Sequence, residues 1–333
     1  MIFLPYAVFE VTAECPLACR FCYNFHKAPG AAAPPPSGYA SSLRVLRELY
    51  SRAEVGTLVM SGGEPFLAER FAELVLFCRM KGSRVKILSG GCSAGREEYR
   101  QLMEMGEVFF QFPVHSADPG VHDALTGVTG SWERSLRSIR EVQDMGGDPF
   151  AVTVLTAFNR EGAADLFDLL MDRGVKRVLL LRYKIGGTGA ADPAGLVIKV
   201  DSLRSVLAAA QEYASAGRLV ITSNVCTPLC LIAPADYPAV GFTHCSDDLR
   251  KLPVTLDSAG NIRRCNHSPL AEGNLFRDGL EAYFASARPE WNVRPDYCAG
   301  CDRYAACLGG CRAASLQYYG TLARPDPYVE FCR

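Results

Sequence analysis

Cys15, Cys19 and Cys22 stand at the spacing C-x3-C-x2-C near the start of the chain. Three thiolates so placed can close on one metal centre and leave a coordination position vacant. A vacant position distinguishes a site that acts on a substrate from one that only braces a fold. Further on, Gly62-Gly63-Glu64-Pro65 couples two glycines, which let backbone approach a ligand closely, to a carboxylate that can accept hydrogen bonds from an ammonium group. A second concentration of thiols lies at the other end, where nine of the fourteen cysteines fall between Cys226 and Cys332. A loop-rich unit so dense in cysteine is held by metal more than by apolar core.

These groups need a scaffold. Alternating apolar and polar residues predict a strand over 6–12 that runs straight into the three-cysteine loop. The Pro-, Ala- and Gly-rich stretch 28–38 reads as a mobile surface loop beside the site. Beyond it the pattern predicts helices at 41–53, 69–80, 97–105, 132–145, 163–172 and 202–214, alternating with strands at 57–60, 85–88, 108–114, 150–156 and 178–183. Such alternation implies an α/β fold whose parallel sheet curls into a partial, TIM-like (β/α)6 barrel. Catalytic groups of parallel barrels lie at the C-terminal ends of strands. Here those ends carry the cysteine loop, Ser61 with Gly62 to Pro65, Ser89-Gly90-Gly91, His115-Ser116, Asn159 and Gly186-Gly187. The rhythm breaks near residue 216, which predicts a barrel domain over 1–215 and a cysteine-rich domain over 216–333. Within the latter a strand pair is expected at 253–257 and 261–264, turned by Ser258-Ala259-Gly260.

Composition narrows the chemistry. The 333 residues are 49% hydrophobic, enough for a sizeable core, and 35 basic against 36 acidic residues give no field of one sign to attract nucleic acid or a membrane surface. The N-terminus lacks the basic flank, apolar core and cleavage site of a signal peptide, and no apolar run reaches the length of a membrane span, so a cytoplasmic location is expected. Cytoplasmic thiols stay reduced, which turns the cysteines from disulfides toward iron–sulfur or zinc ligation. Cys78 and Cys92 lie on barrel elements and read as small core residues. The histidines are scattered, and His26, near the cysteine loop, reads as a solvated loop residue.

With Phe21 in the aromatic place of C-x3-C-x-aromatic-C, and with Gly62 to Pro65 matching the GGEP segment, the chain resembles the radical S-adenosylmethionine (SAM) superfamily. The C-terminal cysteines resemble that superfamily's SPASM domain. Cys245 is followed by fourteen residues, Gly260, four more and Cys265; Cys298, Cys301, Cys307 and Cys311 keep the C-x2-C-x5-C-x3-C spacing; Cys332 closes the set. A zinc ribbon at 298–311 would leave Cys245, Gly260, Cys265 and Cys332 without a purpose.

The resemblance implies that Cys15, Cys19 and Cys22 hold a 4Fe-4S cluster whose open iron chelates SAM. One electron then releases a 5′-deoxyadenosyl radical that takes a hydrogen atom from substrate. It associates Gly62, Gly63, Glu64 and Pro65 with the methionine amino group, and it places Ser116 and Asn159 where family members make polar contacts to SAM. The last barrel strand packs near the adenine in the family, whereas Ser89-Gly90-Gly91 departs from the family's Thr-Asn-Gly. It also implies two auxiliary 4Fe-4S clusters, one on Cys245, Cys265 and Cys311, the other on Cys298, Cys301, Cys307 and Cys332. The first is one ligand short, to be filled by Cys230, by Cys226 or by no residue at all, with Cys230 preferred.

Auxiliary clusters offer an outlet for an electron, which favours a net oxidation. The expected activity is an oxidoreductase that crosslinks or dehydrogenates a side chain of a ribosomally made peptide or protein. The alternative is dehydrogenation or epimerisation of a small molecule such as a sugar, amine or cofactor precursor. Tyr23, Tyr183, Tyr304 and Tyr318 are available as hydrogen or proton donors. Asn266 occupies the place of the aspartate base of anaerobic sulfatase maturases, which argues against that reaction. An external donor of flavodoxin or ferredoxin type is implied. The first strand begins too early for a preceding leader-recognition domain, so recognition is expected to use either a separate leader-peptide-binding partner or direct reading of the core peptide.

Overall fold

A strand-and-helix rhythm runs through the N-terminal part of the chain, in the order β1 (Ile2–Thr12), α1 (Tyr39–Arg52), β2 (Ala53–Gly62), α2 (Phe71–Met80), β3 (Arg84–Leu88), α3 (Arg96–Met103), β4 (Val108–Pro113), α4 (Pro119–Thr126), α5 (Ser131–Asp144), β5 (Phe150–Leu155), α6 (Ala163–Asp172), β6 (Arg177–Arg182), α7 (Pro193–Leu196) and α8 (Val200–Ser215). The computed structural model describes residues 1–224 and 226–332. The first six strands are mutually parallel and adjacent in chain order, which is the partial (β/α)6 barrel read from the sequence. Each crossover helix turns an apolar stripe inward; α5 buries Leu136, Ile139 and Val142 at helical spacing and leaves its charged residues outside.

Two features differ from the sequence reading. The helix α4 was not anticipated, because its apolar stripe is short. It forms because Asp118 accepts hydrogen bonds from the N–H groups of Gly120 and Val121, Pro119 occupies the first turn, and Gly127 ends it in the left-handed conformation. The sheet also continues past the sixth strand. β7 (Val220–Ser223) pairs parallel with β6, and β8 (Gly241–Phe242) with β7.

The expected C-terminal hairpin is present as β9 (Val254–Asp257) and β10 (Asn261–Arg263), followed by β11 (Gly273–Asn274). Gly260 takes φ +78° in its turn, and Asp257 accepts hydrogen bonds from the N–H groups of Ala259 and Asn261 at 3.0 Å. This hairpin joins the barrel sheet. β9 runs parallel to β1 with Ala7 opposite Val254 and Glu10 opposite Asp257, so one sheet in the order β11-β10-β9-β1-β2-β3-β4-β5-β6-β7-β8 spans both parts of the chain. β1 is therefore flanked on both sides, and Ala7 and Phe9 are wholly buried. The remaining helices, α9 (Gly279–Ala285), α10 (Tyr304–Cys307), α11 (Arg312–Tyr319) and α12 (Tyr328–Phe331), are short and carry or flank the late cysteines.

Candidate active site

The cysteine loop leaves the C-terminal end of β1 and is pinned from three directions by backbone hydrogen bonds. From the loop after β2, the N–H groups of Gly63 and Glu64 donate to the carbonyls of Thr12 and Glu14, both at 2.7 Å. A Cβ on Gly62 would lie 2.2 Å from the Thr12 carbonyl oxygen and one on Gly63 2.0 Å from that of Glu14, so only glycine permits this approach. From α4, Thr126 and Leu125 accept hydrogen bonds from the N–H groups of Ala18 and Arg20 at 3.0 and 2.9 Å. From the loop after β6, Thr188 donates to the Cys22 carbonyl at 2.9 Å, with Gly187 at φ +53° packed against the same oxygen. After β3, Gly90 leaves room for the Leu17 side chain.

The three thiols held in this way lie within electrostatic reach of one another. Burial pushes the Cys15 and Cys19 thiols up, and the neighbouring sulfurs add to the rise, while Lys27 opposes it at both. Three mutually repelling thiolates beside one lysine are a donor set that a cationic cluster would satisfy. Among the described residues, however, no three Cys, His, Asp or Glu side chains are closed into a ready metal-ligating group, and no cysteine forms a disulfide.

Glu64 is fully buried. Its carboxylate accepts hydrogen bonds from Gly90 N–H at 2.7 Å and from Phe66 N–H at 3.3 Å, which ties the loops after β2 and β3 together and caps a 3-10 turn begun by Pro65. Desolvation raises its pKa against those bonds. Phe21 packs edge-on to His115 with ring centroids 4.8 Å apart, and His115 stacks on His122 at 5.0 Å. Asn159 donates to the His115 carbonyl at 2.7 Å and to the Val154 carbonyl at 2.9 Å while accepting from Thr156, so it locks the ends of β4 and β5 together. Ser116 accepts from Asp118 N–H at 3.0 Å and lines a small cavity with His115 and Asn159. His115, placed by the sequence at a strand end but given no role, is thus the floor on which the cluster-loop aromatic rests. Its position directly after a barrel strand was the available signal.

The C-terminal part closes over the loop. Gln317 of α11 accepts from Gly187 N–H at 2.7 Å and donates to the carbonyls of His267 and Tyr23 at 2.7 and 3.3 Å. Asn266 donates to the Tyr23 hydroxyl at 2.6 Å. Since Tyr23 follows Cys22 and Asn266 follows Cys265, one hydrogen bond joins neighbours of two predicted ligand sets. Glu10 of β1 is ion-paired with the buried Arg263 of β10 and borders a shallow cleft. Thr12, Asn24, His26 and Gly62 line the same cleft, and Pro34 and Pro35 of the loop over 28–38 border it.

Of the late cysteines, Cys265 packs against the buried patch of Cys311, Ala313 and Ala314. Cys245 lies within electrostatic reach of Cys226. Cys298 lies in electrostatic reach of Cys301, Cys307 and Cys230. Cys332 is buried at the end of α12, next to Tyr328, and its carbonyl accepts from Val200 N–H at 2.9 Å.

Fold and loop together define a parallel-barrel metalloenzyme organised around a three-thiol site at the barrel mouth. Residues 9–172 match the Radical SAM superfamily, and the chain is a radical SAM enzyme with a cysteine-rich C-terminal region. SAM and a 4Fe-4S cluster are accordingly its cofactors. It is 25% identical over 345 residues to the PqqA peptide cyclase of Xanthomonas campestris pv. campestris, covering 96% of this chain and 85% of that one. Its fold matches that of Streptococcus suis SuiB bound to the precursor peptide SuiA, with a TM-score of 0.73 at 16% identity over 98% of this chain and 75% of SuiB. It also matches native anSMEcpe with bound AdoMet, with a TM-score of 0.72 at 14% identity over 98% of this chain and 95% of that one. Among the described residues no helix is long and apolar enough to cross a membrane.

Proposed function

We propose that this enzyme oxidatively modifies a ribosomally made peptide, forming a crosslink or a dehydrogenated side chain. The observation that carries the reading is the docking of the late cysteine region onto the loop of Cys15, Cys19 and Cys22 through Gln317 and through the Tyr23–Asn266 bond. Two thiol-rich centres joined so closely suit a reaction that must remove an electron from substrate. The similarity to a peptide cyclase over nearly the whole chain supports a peptide as that substrate.

In this reading Cys15, Cys19 and Cys22 hold the 4Fe-4S cluster, and Phe21 seats their loop on His115. Gly62, Gly63, Glu64 and Pro65 shape the wall where SAM binds, with Ser116 and Asn159 at the adjacent strand ends. With SAM bound, the cluster supplies a carbon-centred radical. The chain's own part is to keep the site dry and rigid. Glu64 and Asn159 spend their polar atoms on neighbouring loops. Cys245, Cys265 and Cys311 hold one auxiliary cluster, and Cys298, Cys301 and Cys307, with Cys332, the other. The division into 1–215 and 216–333 is functional, since the sheet itself is continuous. The enzyme works in the cytoplasm and takes electrons from a flavodoxin- or ferredoxin-type donor.

The test is anaerobic. Reconstituted protein is incubated with SAM, dithionite and a candidate precursor peptide, and 5′-deoxyadenosine and peptide mass are followed. Cys19→Ala abolishes 5′-deoxyadenosine, whereas Cys301→Ala retains some SAM cleavage but loses the product that is lighter by two hydrogens. Equal loss of cleavage in both variants would refute a separate auxiliary role.

A further inference from the structure

The auxiliary-cluster reading leaves one centre a thiolate short, and the segment 226–230 reaches that centre at one end only. At its first residue, the buried Arg182 of β6 donates through Nη2 to the Cys226 carbonyl at 2.7 Å and through Nε to Thr227 Oγ1 at 3.1 Å. The same guanidinium is ion-paired with the buried Asp326, whose carboxylate accepts from Cys311 N–H at 2.9 Å. Arg182 and Asp326 thus form a two-residue brace between the backbones of Cys226 and Cys311. Gly310 removes the last obstacle. A Cβ there would sit 2.8 Å from Pro228 Cγ, so glycine lets the two segments lie in contact.

The sulfurs follow the backbone. Cys265 packs on the Cys311 patch, and Cys245 lies within electrostatic reach of Cys226. Cys311 lies in electrostatic reach of both Cys226 and Cys265. The backbone of Cys226 and the Cys265 side chain are thus both held beside Cys311, next to a buried arginine that can compensate the charge of thiolates or of a cluster.

The other end of the segment faces elsewhere. Cys230 is exposed, with its sulfur 4.0 Å from the Tyr297 hydroxyl. Leu229 N–H donates to Cys307 Sγ at 3.3 Å, and Arg303 donates to the Leu229 carbonyl at 2.9 Å. Cys230 therefore accompanies Cys298 and Cys307, in the outer group.

We propose that Cys226, and not Cys230, supplies the fourth thiolate of the inner auxiliary centre with Cys245, Cys265 and Cys311. This rests on the auxiliary-cluster reading above, and the experiment separates the two. In a Cys15→Ala/Cys19→Ala/Cys22→Ala background the SAM-binding cluster is gone, leaving about eight irons per chain if two auxiliary 4Fe-4S clusters are present. Imidazole, which binds an open iron, is then added to the dithionite-reduced protein, and its electron paramagnetic resonance spectrum is recorded. A fully thiolate-ligated pair of clusters gives no response. Adding Cys226→Ala either creates an imidazole-sensitive signal or removes about four irons. Adding Cys230→Ala leaves the inner centre unresponsive. Circular dichroism of the iron-free proteins confirms that each variant folds. An imidazole response already present in the background and unchanged by Cys226→Ala overturns the assignment, as does a new response produced by Cys230→Ala alone. A background without iron overturns the auxiliary reading itself.

Discussion

Gly63→Ala probes the contact on which the active-site loop rests. Gly63 is outside the left-handed region, so alanine by itself would stabilise the chain by about 0.5 kcal/mol through the unfolded state. In place, its Cβ would meet the Glu14 carbonyl oxygen at 2.0 Å and the carbonyl carbon at 2.6 Å. Both partners are backbone, so no rotamer relieves the clash. One loop must withdraw by at least about 1 Å to restore an ordinary contact. That withdrawal weakens the 2.7 Å hydrogen bonds from Gly63 to Thr12 and from Glu64 to Glu14, each worth about 1 kcal/mol. Bond loss and overpacking together give an expected destabilisation of about 2–4 kcal/mol. Urea unfolding of the iron-free protein measures it directly. The neighbouring Cys15 moves with Glu14, so the iron retained at the SAM-binding site falls as well. A variant within about 0.5 kcal/mol of the parent and with full iron would refute the claim that this approach is built for glycine.

Three further expectations follow from the same geometry. Gln317→Ala leaves the Gly187 N–H and the His267 carbonyl without their partner, costing about 2–3 kcal/mol and opening the 183–192 loop to limited proteolysis; unchanged cleavage would show that Gln317 is not the clasp between the two parts. Tyr23→Phe removes the acceptor of the 2.6 Å bond from Asn266 and costs about 1–2 kcal/mol in urea unfolding while the iron content stays intact; an unaltered midpoint would speak against a structural bond there. Burial pulls the His122 pKa from 6.5 down to about 4, so between those values the unfolded chain binds the extra proton and stability falls as the pH falls; the contribution is about 3 kcal/mol in all. Its check is the difference in urea midpoint between pH 7 and pH 5, which should be smaller in His122→Gln; equal pH dependence in the two proteins would refute it.

The six barrel strands were legible because a parallel core strand is apolar over several residues and its crossover helix keeps a helical stripe. Their ends were legible because glycine pairs and polar groups cluster there. α4 escaped because capping by Asp118 and Gly127, not an apolar stripe, defines it. β7 and β8 escaped because short edge strands carry too few residues to show a period. The entry of β9 into the barrel sheet beside β1 is a non-local pairing, and no local pattern announces the partner of a strand. At the site, cysteine spacing pointed to ligand sets but could not tell Cys226 from Cys230. Those two lie four residues apart, and their difference arises from Arg182 and Asp326, which are distant from each other in sequence and meet only in the fold.

That brace bears on how the two parts of the chain communicate. Arg182 ends β6, the strand whose following loop presses on the Cys22 carbonyl through Gly187 and Thr188. Asp326 holds Cys311 and also accepts from Tyr328 N–H at 2.9 Å, and the Tyr328 hydroxyl donates to the Ile198 carbonyl at 3.0 Å. A displacement at the inner group of cysteines therefore has a rigid route to the active-site loop, made of buried polar groups that cannot be left unpaired without cost. A second route runs through Asn266 and Tyr23, where a single side-chain hydrogen bond spans the neighbours of Cys265 and Cys22. Together with the pairing of β9 on β1 and the Gln317 bonds, these links fix a loop-rich region against the barrel. Its order is borrowed from the site it covers.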